Sequence, residues 1–496
     1  MTNVNSSSFS LRRSVCAALI IVAVTGFAAR ILTAARLFDP SRYRDETKSA
    51  DEDPRSKWPR ERPAPMFSFG DNDRSRWDTV RALVDEHTYA IGHREAGSGT
   101  NHYKDTGIIT EDGWQTIDKV LRPDTHDFYS SKPPFLATLA AGEYWLLKQL
   151  GGWSIVDPGW HVMRVILLTL NALPLALYLW LLARLLDQQG QTEWGRFLVF
   201  AAACFATLVT PFAVTFNNHT VATYTALFAL YPALQICSGR QQTSGLFVAA
   251  GFFAGFTAAC ELPATALISI LFMVLVVRAP VRTLLLYLPA VAIPIAAFLW
   301  TNCLALGELT PAYEKFGTPW YEYEGSHWKI DPALPQHGID WAYLSEGRAA
   351  YAFHMLFGHH GVLSLTPIYL LSVAGMIYGL FHWNRSSRPA AGLRETALVS
   401  LILSIVVICF YVFGVPERNR NYGGWTAGPR WLIWLTPFLL LSMQPAVDWL
   451  APRRWGRILA YLFLAISVIS ANYPAWNPWR HPWLYNWMEK LDWIRY

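Results

Sequence analysis

The stretch from Thr243 to Val277, TSGLFVAAGFFAGFTAACELPATALISILFMVLVV, is apolar almost throughout and is interrupted once, at Glu261-Leu262-Pro263. As a single helix it would extend about 50 Å, too long for a bilayer core of about 30 Å. A hairpin of two membrane helices breaking at Glu261 satisfies that limit. The stretch therefore reads as part of a polytopic helical bundle. Runs of similar character occur at 15–35, 161–186, 195–216, 221–237, 284–306, 361–381, 396–414, 431–450 and 457–471. Together they predict an all-α membrane protein with about eleven transmembrane helices, counted by length.

Composition agrees. Of 496 residues, 53% are hydrophobic and only 16% charged, against about a quarter charged in soluble domains. This excludes a soluble enzyme, a fibrous chain and an outer-membrane barrel. Mean hydropathy is only +0.21, because two long polar segments dilute the spans. The net charge of +5 is spread without a basic block, so nucleic acid is not an expected partner. The six cysteines fall in or beside apolar runs without CxxC spacing and read as small buried hydrophobes.

The first run follows Arg12 and Arg13 and reads as a retained first span, the alternative being a cleaved signal peptide. The positive-inside rule then orients the chain. Arg12, Arg13, Arg184, Arg196, Arg240, Arg278, Arg282, Arg385, Arg388, Arg394, Arg453, Arg454 and Arg457 fall in short loops on one side, and Arg418, Arg420 and Arg430 on the other. The expected organisation is an N-terminal cytoplasmic tip and first helix (1–36), a large external loop (37–160), a membrane bundle (161–306), a second large external loop (307–360), a C-terminal bundle (361–473) and an aromatic external tail (474–496). The ambiguous run 134–150 carries Glu143 and Lys148 and would invert every later loop if it spanned. It reads as an interfacial helix. The bilayer of the inner or plasma membrane is the expected surrounding. With no GxGxxG or P-loop and only short cytoplasmic loops, any chemistry belongs to the external face.

In the first external loop, a charged, Pro-rich linker at 45–65 precedes FSFGDNDRSRWDTVRALVDEHTYAI. A short helix is expected over 77–84, with Asp71 and Asp73 as helix-entry acids; capping alone would explain them. In the second loop, aromatics interleaved with Glu314, Glu322 and Glu324 suit either sugar stacking or interfacial anchoring. His354, His359 and His360 have spacings that do not place them on one helix face, so no metal site is expected there. Asn217, Asn218 and His219 lie at a span end and suit either capping or a cavity.

The order of these features resembles the GT-C membrane glycosyltransferases, in particular the protein mannosyltransferase and lipid A aminoarabinose transferase branch. It consists of an acid after the first span in Asp73-Arg74-Ser75-Arg76-Trp77, a KPPF motif at 132–135, Arg164 opening the next span, AAGFFAGFTAACELP with Glu261, and GGWTAGPRWLIWLTPFLLL with Trp425 and Arg430. Relatives usually have an Asp-Glu pair followed by Tyr, whereas here Arg74 follows Asp73 and Trp77 stands in place of the Tyr.

The resemblance implies transfer of a sugar from a polyprenyl-phosphate donor to an acceptor hydroxyl of a glycan, lipid or protein. Asp73, or else Asp71, would be the general base. Lys132, Arg164, Arg430 and Arg76 would bind the donor phosphate, although snorkelling explains such cations too. Asp85, Glu86, Asn218, His219, Glu261 and Trp425 are the expected substrate contacts. The resemblance names no definite cofactor and leaves a divalent cation open, since some members use one and others do not. A transporter or flippase is the alternative, against which stand the absence of an internal repeat and the concentration of ionisable residues on one face.

Overall fold

The computed structural model describes residues 2–34, 67–68, 70–97, 102–329, 346–381 and 393–496. The linker at 45–65, Arg385, Arg388 and the Arg418 side chain lie outside the described residues.

Helix α1 (Thr2–Thr33) opens the chain. Helices α2 (Asp71–Arg81) and α3 (Pro134–Gly151) belong to the first polar segment. The apolar helices that follow are α4 (His161–Gln189), α5 (Glu193–Phe212), α6 (Asn218–Cys237), α7 (Ser244–Cys260), α8 (Leu262–Val276) and α9 (Pro280–Leu306). After the second polar segment come α10 (Arg348–Leu356), α11 (Tyr369–Phe381), α12 (Arg394–Gly414), α13 (Arg430–Ser442), α14 (Gln444–Leu450), α15 (Arg454–Asn472) and α16 (Trp483–Lys490). Among the described residues seven helices are long and apolar enough to cross a membrane, and α7, α8, α11 and α13 are shorter apolar helices. The chain is a polytopic helical membrane protein.

The break at Glu261 is as expected: its backbone is extended (φ −134°, ψ 106°) between α7 and the 3₁₀ turn that opens α8. At one end of this hairpin Asn218, the first residue of α6, donates to the Cys260 carbonyl at 2.8 Å. At the other, Arg278 bonds the Cys237 carbonyl that closes α6. Thus α7 and α8 run in opposite directions alongside α6. Helix α7 lies close against α9, because a Cβ on Gly255 would fall 2.6 Å from the Val291 carbonyl.

The all-α expectation needs one correction. The first polar segment contains a four-stranded antiparallel sheet of order β2-β1-β4-β3, with β1 Gly92–Ala96, β2 Tyr103–Thr106, β3 Lys119–Leu121 and β4 Asp127–Ser130. His93 pairs with Thr106 on one side and Asp127 on the other, and Val120 with Tyr129. The strands are three to five residues long, too short to carry a legible alternation. Arg94 binds both Asp105 oxygens (2.7 and 2.9 Å) and donates to the Glu324 carbonyl at 2.8 Å. Leu121 N donates to the Trp320 carbonyl at 2.9 Å, so the described start of the second polar segment packs against the sheet.

Charges segregate along the bundle. Arg12 pairs with Asp187 at 2.8 Å and Glu193 at 2.9 Å, and Arg278 with Glu395 at 2.9 Å. These pairs sit where α4 ends and α12 begins, at the end of the bundle away from α2.

Candidate functional site

At the other end lies a cavity of about 2480 Å³, well beyond the 300–1,000 Å³ of ordinary small-ligand pockets. It is bounded by the start of α6, the ends of α7 and α12, the start of α13, helix α2 and the loop before α3. The bundle supplies its floor and the polar segments its walls.

Helix α2 begins at Asp71, earlier than the sequence predicts, so both acids lie in its first turn, where the helix dipole favours them. They face differently. Asp73 is 1% exposed and accepts from the Gly70 backbone N–H at 3.0 Å, closing the turn as a capping residue. Asp71 lines the cavity and retains 19% side-chain exposure. It accepts from Ile117 N at 3.0 Å, and Arg74 stands 3.6 Å away. Trp77 is fully buried against Phe216, with ring centroids 4.6 Å apart.

Arg76, Lys132 and Arg430 all line the cavity. Arg76 is buried, bonds the Asn72 side chain and carbonyl, and donates to Asn218 Oδ1 at 2.6 Å. Lys132 sits in the loop that enters α3, where prolines suit a helix start, and pairs with Asp118 at 3.0 Å. Arg430 lies over the Trp479 ring at 5.0 Å. Burial pushes the Lys132 ammonium below its ordinary range, Asp118 opposes this, and the Arg430 and Arg76 charges add to it. Burial, with Arg430 next, lowers Arg76 to about 10, so it stays charged at neutral pH. Three cations that disfavour one another in a partly desolvated cavity would be favoured by an anionic ligand.

The α6–α7 end supplies polar groups. Asn217 caps α6 by accepting from Thr220 N at 2.9 Å, which frees the next two residues to face the cavity. Asn218 Nδ2 donates to Glu261 Oε1 at 2.9 Å and His219 bonds the same carboxylate. Trp425 is 58% exposed at the cavity rim and packs on His481 at 4.9 Å.

The remaining sequence candidates lie elsewhere. Arg164 is not among the cavity-lining residues; it sits on the first turn of α4 with its backbone N bonded to the Trp160 carbonyl. Asp85, in the π-helical turn Ala82–Glu86 that follows α2, accepts from Tyr144 Oη at 2.9 Å and Lys148 Nζ at 2.7 Å, fastening that turn to α3. Glu86 is exposed beyond it. Asp118, Arg74 and Trp479 were not anticipated. Asp118 lies in a stretch without a local motif, and Trp479 comes from the tail, expected only as an interfacial belt. The Trp479 ring presses on Gly70, where a Cβ would fall 2.8 Å from it.

Three of the cavity acids are already held by neighbouring groups. Asp71 is held by Ile117 and Arg74, Asp118 by Lys132, and Glu261 by Asn218 and His219. Among the described residues, donors close enough to share an ion occur instead at Glu346, His354 and His359, outside this cavity. The turn after α10 folds His359 back against His354, a proximity that their spacing along one helix does not show.

Fold and site together define a polytopic helical membrane protein with a cationic, acid-bearing cavity at one end of its bundle. No family model matches the chain, and no curated protein does. Among solved structures it is similar to the Archaeoglobus fulgidus oligosaccharyltransferase. The likeness to the apo form has a TM-score of 0.43 and 11% identity, over 96% of this chain and 57% of that one. For the form tethered with an acceptor peptide containing the NVT sequon, the TM-score is 0.46 and the identity 11%, over 96% and 57%. For the complex with Zn and sulfate the values are 0.42 and 12%, over 96% and 55%. The chain thus spans little more than half the length of these structures.

Proposed function

We propose that the protein is a membrane glycosyltransferase that moves a sugar from a polyprenyl-phosphate donor to an acceptor hydroxyl, with Asp71 as the general base. The observation that carries this reading is the junction of the cationic cavity with an apolar groove. A second cavity of about 290 Å³, lined by Leu262, Pro263, Thr265, Ala266, Ser269, Val406 and Phe410, shares Leu262, Pro263 and Phe410 with the main one. It lies between α8 and α12, where an isoprenoid chain would be solvated by apolar side chains. The phosphate of such a donor would meet Arg76, Lys132 and Arg430.

In the displacement the acceptor O–H gives its proton to the Asp71 carboxylate while its oxygen bonds the anomeric carbon. The bond from that carbon to the phosphate oxygen breaks, and the departing phosphate takes the electron pair. The three cations hold the negative charge that develops on it. Asn218, His219 and Glu261 would orient the sugar, and Trp425 would offer a stacking face at the rim. The resemblance of the motif order to GT-C transferases supports the same assignment, with the cavity on the external face.

The test is reconstitution of the purified protein with labelled polyprenyl-phosphate sugars and a panel of acceptors. Transfer that fails in Asp71→Asn is the expected result. Flux of a solute across the vesicle with no transfer to any acceptor would establish the transporter reading instead.

A further inference from the structure

Behind the cavity wall formed by Asn421, Gly423 and Gly424, side chains from distant parts of the chain meet in a second polar cluster. Glu346 precedes α10, His354 lies on it, His359 and His360 sit in the turn that follows, Tyr422 comes from the loop before α13, and Tyr496 from the segment after α16. None of these six lines the main cavity.

We propose that Glu346, His354 and His359 form a binding site for a divalent transition-metal ion of the Zn²⁺ type, with the Tyr496 hydroxyl as fourth donor. One donor atom from each of the three residues lies within 4.8 Å of the others, and His354 Nε2 is 3.8 Å from Glu346 Oε1. A tetrahedral zinc with ligands near 2.0–2.1 Å sets its donors about 3.3 Å apart, so a small contraction completes the set. The Tyr496 hydroxyl already bridges the donors: it lies 2.6 Å from His359 Nε2 and bonds Glu346.

The surroundings are those of a metal ligand set. His359 is fully buried, and its Nδ1 faces His360 Nδ1 at 2.5 Å. When His359 Nδ1–H donates across that contact, its Nε2 lone pair points to Tyr496 and Glu346, the arrangement in which an outer hydrogen bond fixes the tautomer of a ligating imidazole. The second Glu346 oxygen accepts from Tyr422, so the carboxylate is oriented as well. His354 stacks on His359 with ring centroids 4.2 Å apart, and its buried Nδ1 has no hydrogen-bond partner. Two nitrogens and two oxygens, buried or half-buried and drawn from the 346–359 stretch and the chain after α16, suit a structural zinc that ties the second polar segment to the chain after α16.

The test uses full-length protein in detergent, freed of affinity-tag histidines and stripped by a chelator. Titration with Zn²⁺ or Co²⁺ should bind about one equivalent, give visible Co²⁺ d–d bands and raise the melting temperature, since an ion that binds only the folded state stabilises it. Glu346→Gln, which keeps the shape and one accepting oxygen for the tyrosines, and His354→Gln should each weaken binding about 10- to 100-fold. Asp71→Asn should bind as the wild type does. The proposal is overturned if the stripped wild type takes up no ion, if both Glu346→Gln and His354→Gln bind normally, or if binding is lost in Asp71→Asn alone.

Discussion

Arg76 on α2 donates to Asn218 Oδ1 at 2.6 Å, and Asn218 in turn donates to Glu261 Oε1 and the Cys260 carbonyl. A residue of the first polar segment is thereby fixed to the ends of two membrane helices. The buried guanidinium is held in place by the same contacts that shape the cavity floor. A hydrogen bond to a charged group is worth about 1.5–3 kcal/mol. Arg76→Lys cannot reproduce the fork that reaches Asn72 and Asn218 together. Its kcat/KM for donor is expected to fall about 30- to 100-fold, more than its melting temperature would explain, as steady-state kinetics beside thermal unfolding would show.

The two acids of α2 separate by substitution. Asp71→Asn removes the carboxylate that faces the cavity and should lower kcat by about 10²–10⁴, the usual worth of a general base, with donor KM little changed. Asp73→Asn keeps an acceptor for Gly70 N and should retain activity within a few-fold. Asp73→Ala loses that cap and should cost about 1 kcal/mol of stability. Transfer assays and denaturation on the three variants decide between the two acids; full loss in Asp73→Asn would restore it as the base.

Under the proposed function, Lys132 should give the reaction an alkaline limit. Its ammonium is lowered by burial and by Arg430 and Arg76, with Asp118 in partial opposition. As pH rises it loses its proton earlier than an exposed lysine would, and donor binding weakens. The expected profile shows KM for donor rising on the alkaline side with a smaller change in kcat. Lys132→Arg, which does not titrate in this range, should move that limb to higher pH even at reduced overall affinity. A wild-type and variant pair measured across the alkaline range checks the sign.

The helical architecture was legible because bilayer thickness constrains apolar runs so strongly. The 35-residue stretch at 243–277 could not remain one helix, and Glu261-Leu262-Pro263 was its evident break. Arg76, Lys132, Arg430, Asn218, His219 and Glu261 were legible as a group only through the resemblance of the motif order. What escaped was what folding assembles over distance: the short strands, the Lys132–Asp118 pair, the Trp479 wall and the convergence of His354 with His359. Periodicity reports on neighbours within one element, and these contacts join different ones. Asp71 and Asp73 were separable only once the start of α2 was known, since a shift of two residues in a helix start changes which acid caps and which faces outward.

Asp85 illustrates an acid with a structural task. It accepts from Tyr144 Oη and Lys148 Nζ, and Tyr144 Oη also accepts from Ile155 N at 3.1 Å. Asp85→Ala breaks the fastening of the turn after α2 to α3 and should cost about 1–2 kcal/mol through the lost hydrogen bonds. Donor KM should stay near the wild-type value, because Asp85 does not line the cavity. A large change in KM at unaltered stability would return it to the substrate site.

The close seam between α7 and α9 yields the last prediction. Gly251 and Gly255, four residues apart in GFFAG, share one face of α7, and a Cβ at either would collide with the Tyr287 or Val291 carbonyl. Small residues at this spacing let two membrane helices approach to backbone contact. The same helix ends at Cys260, whose carbonyl holds Asn218, so the seam also sets the cavity floor. Gly255→Ala must push α9 away or distort α7, a change that costs about 1–3 kcal/mol when a packed interior is overfilled. The variant is expected to melt lower and to lose donor affinity together, whereas Gly245→Ala, with no atom near its Cβ, should do neither. Parallel melting curves and donor titrations of the two glycine variants distinguish a seam that positions the site from one that merely holds the bundle.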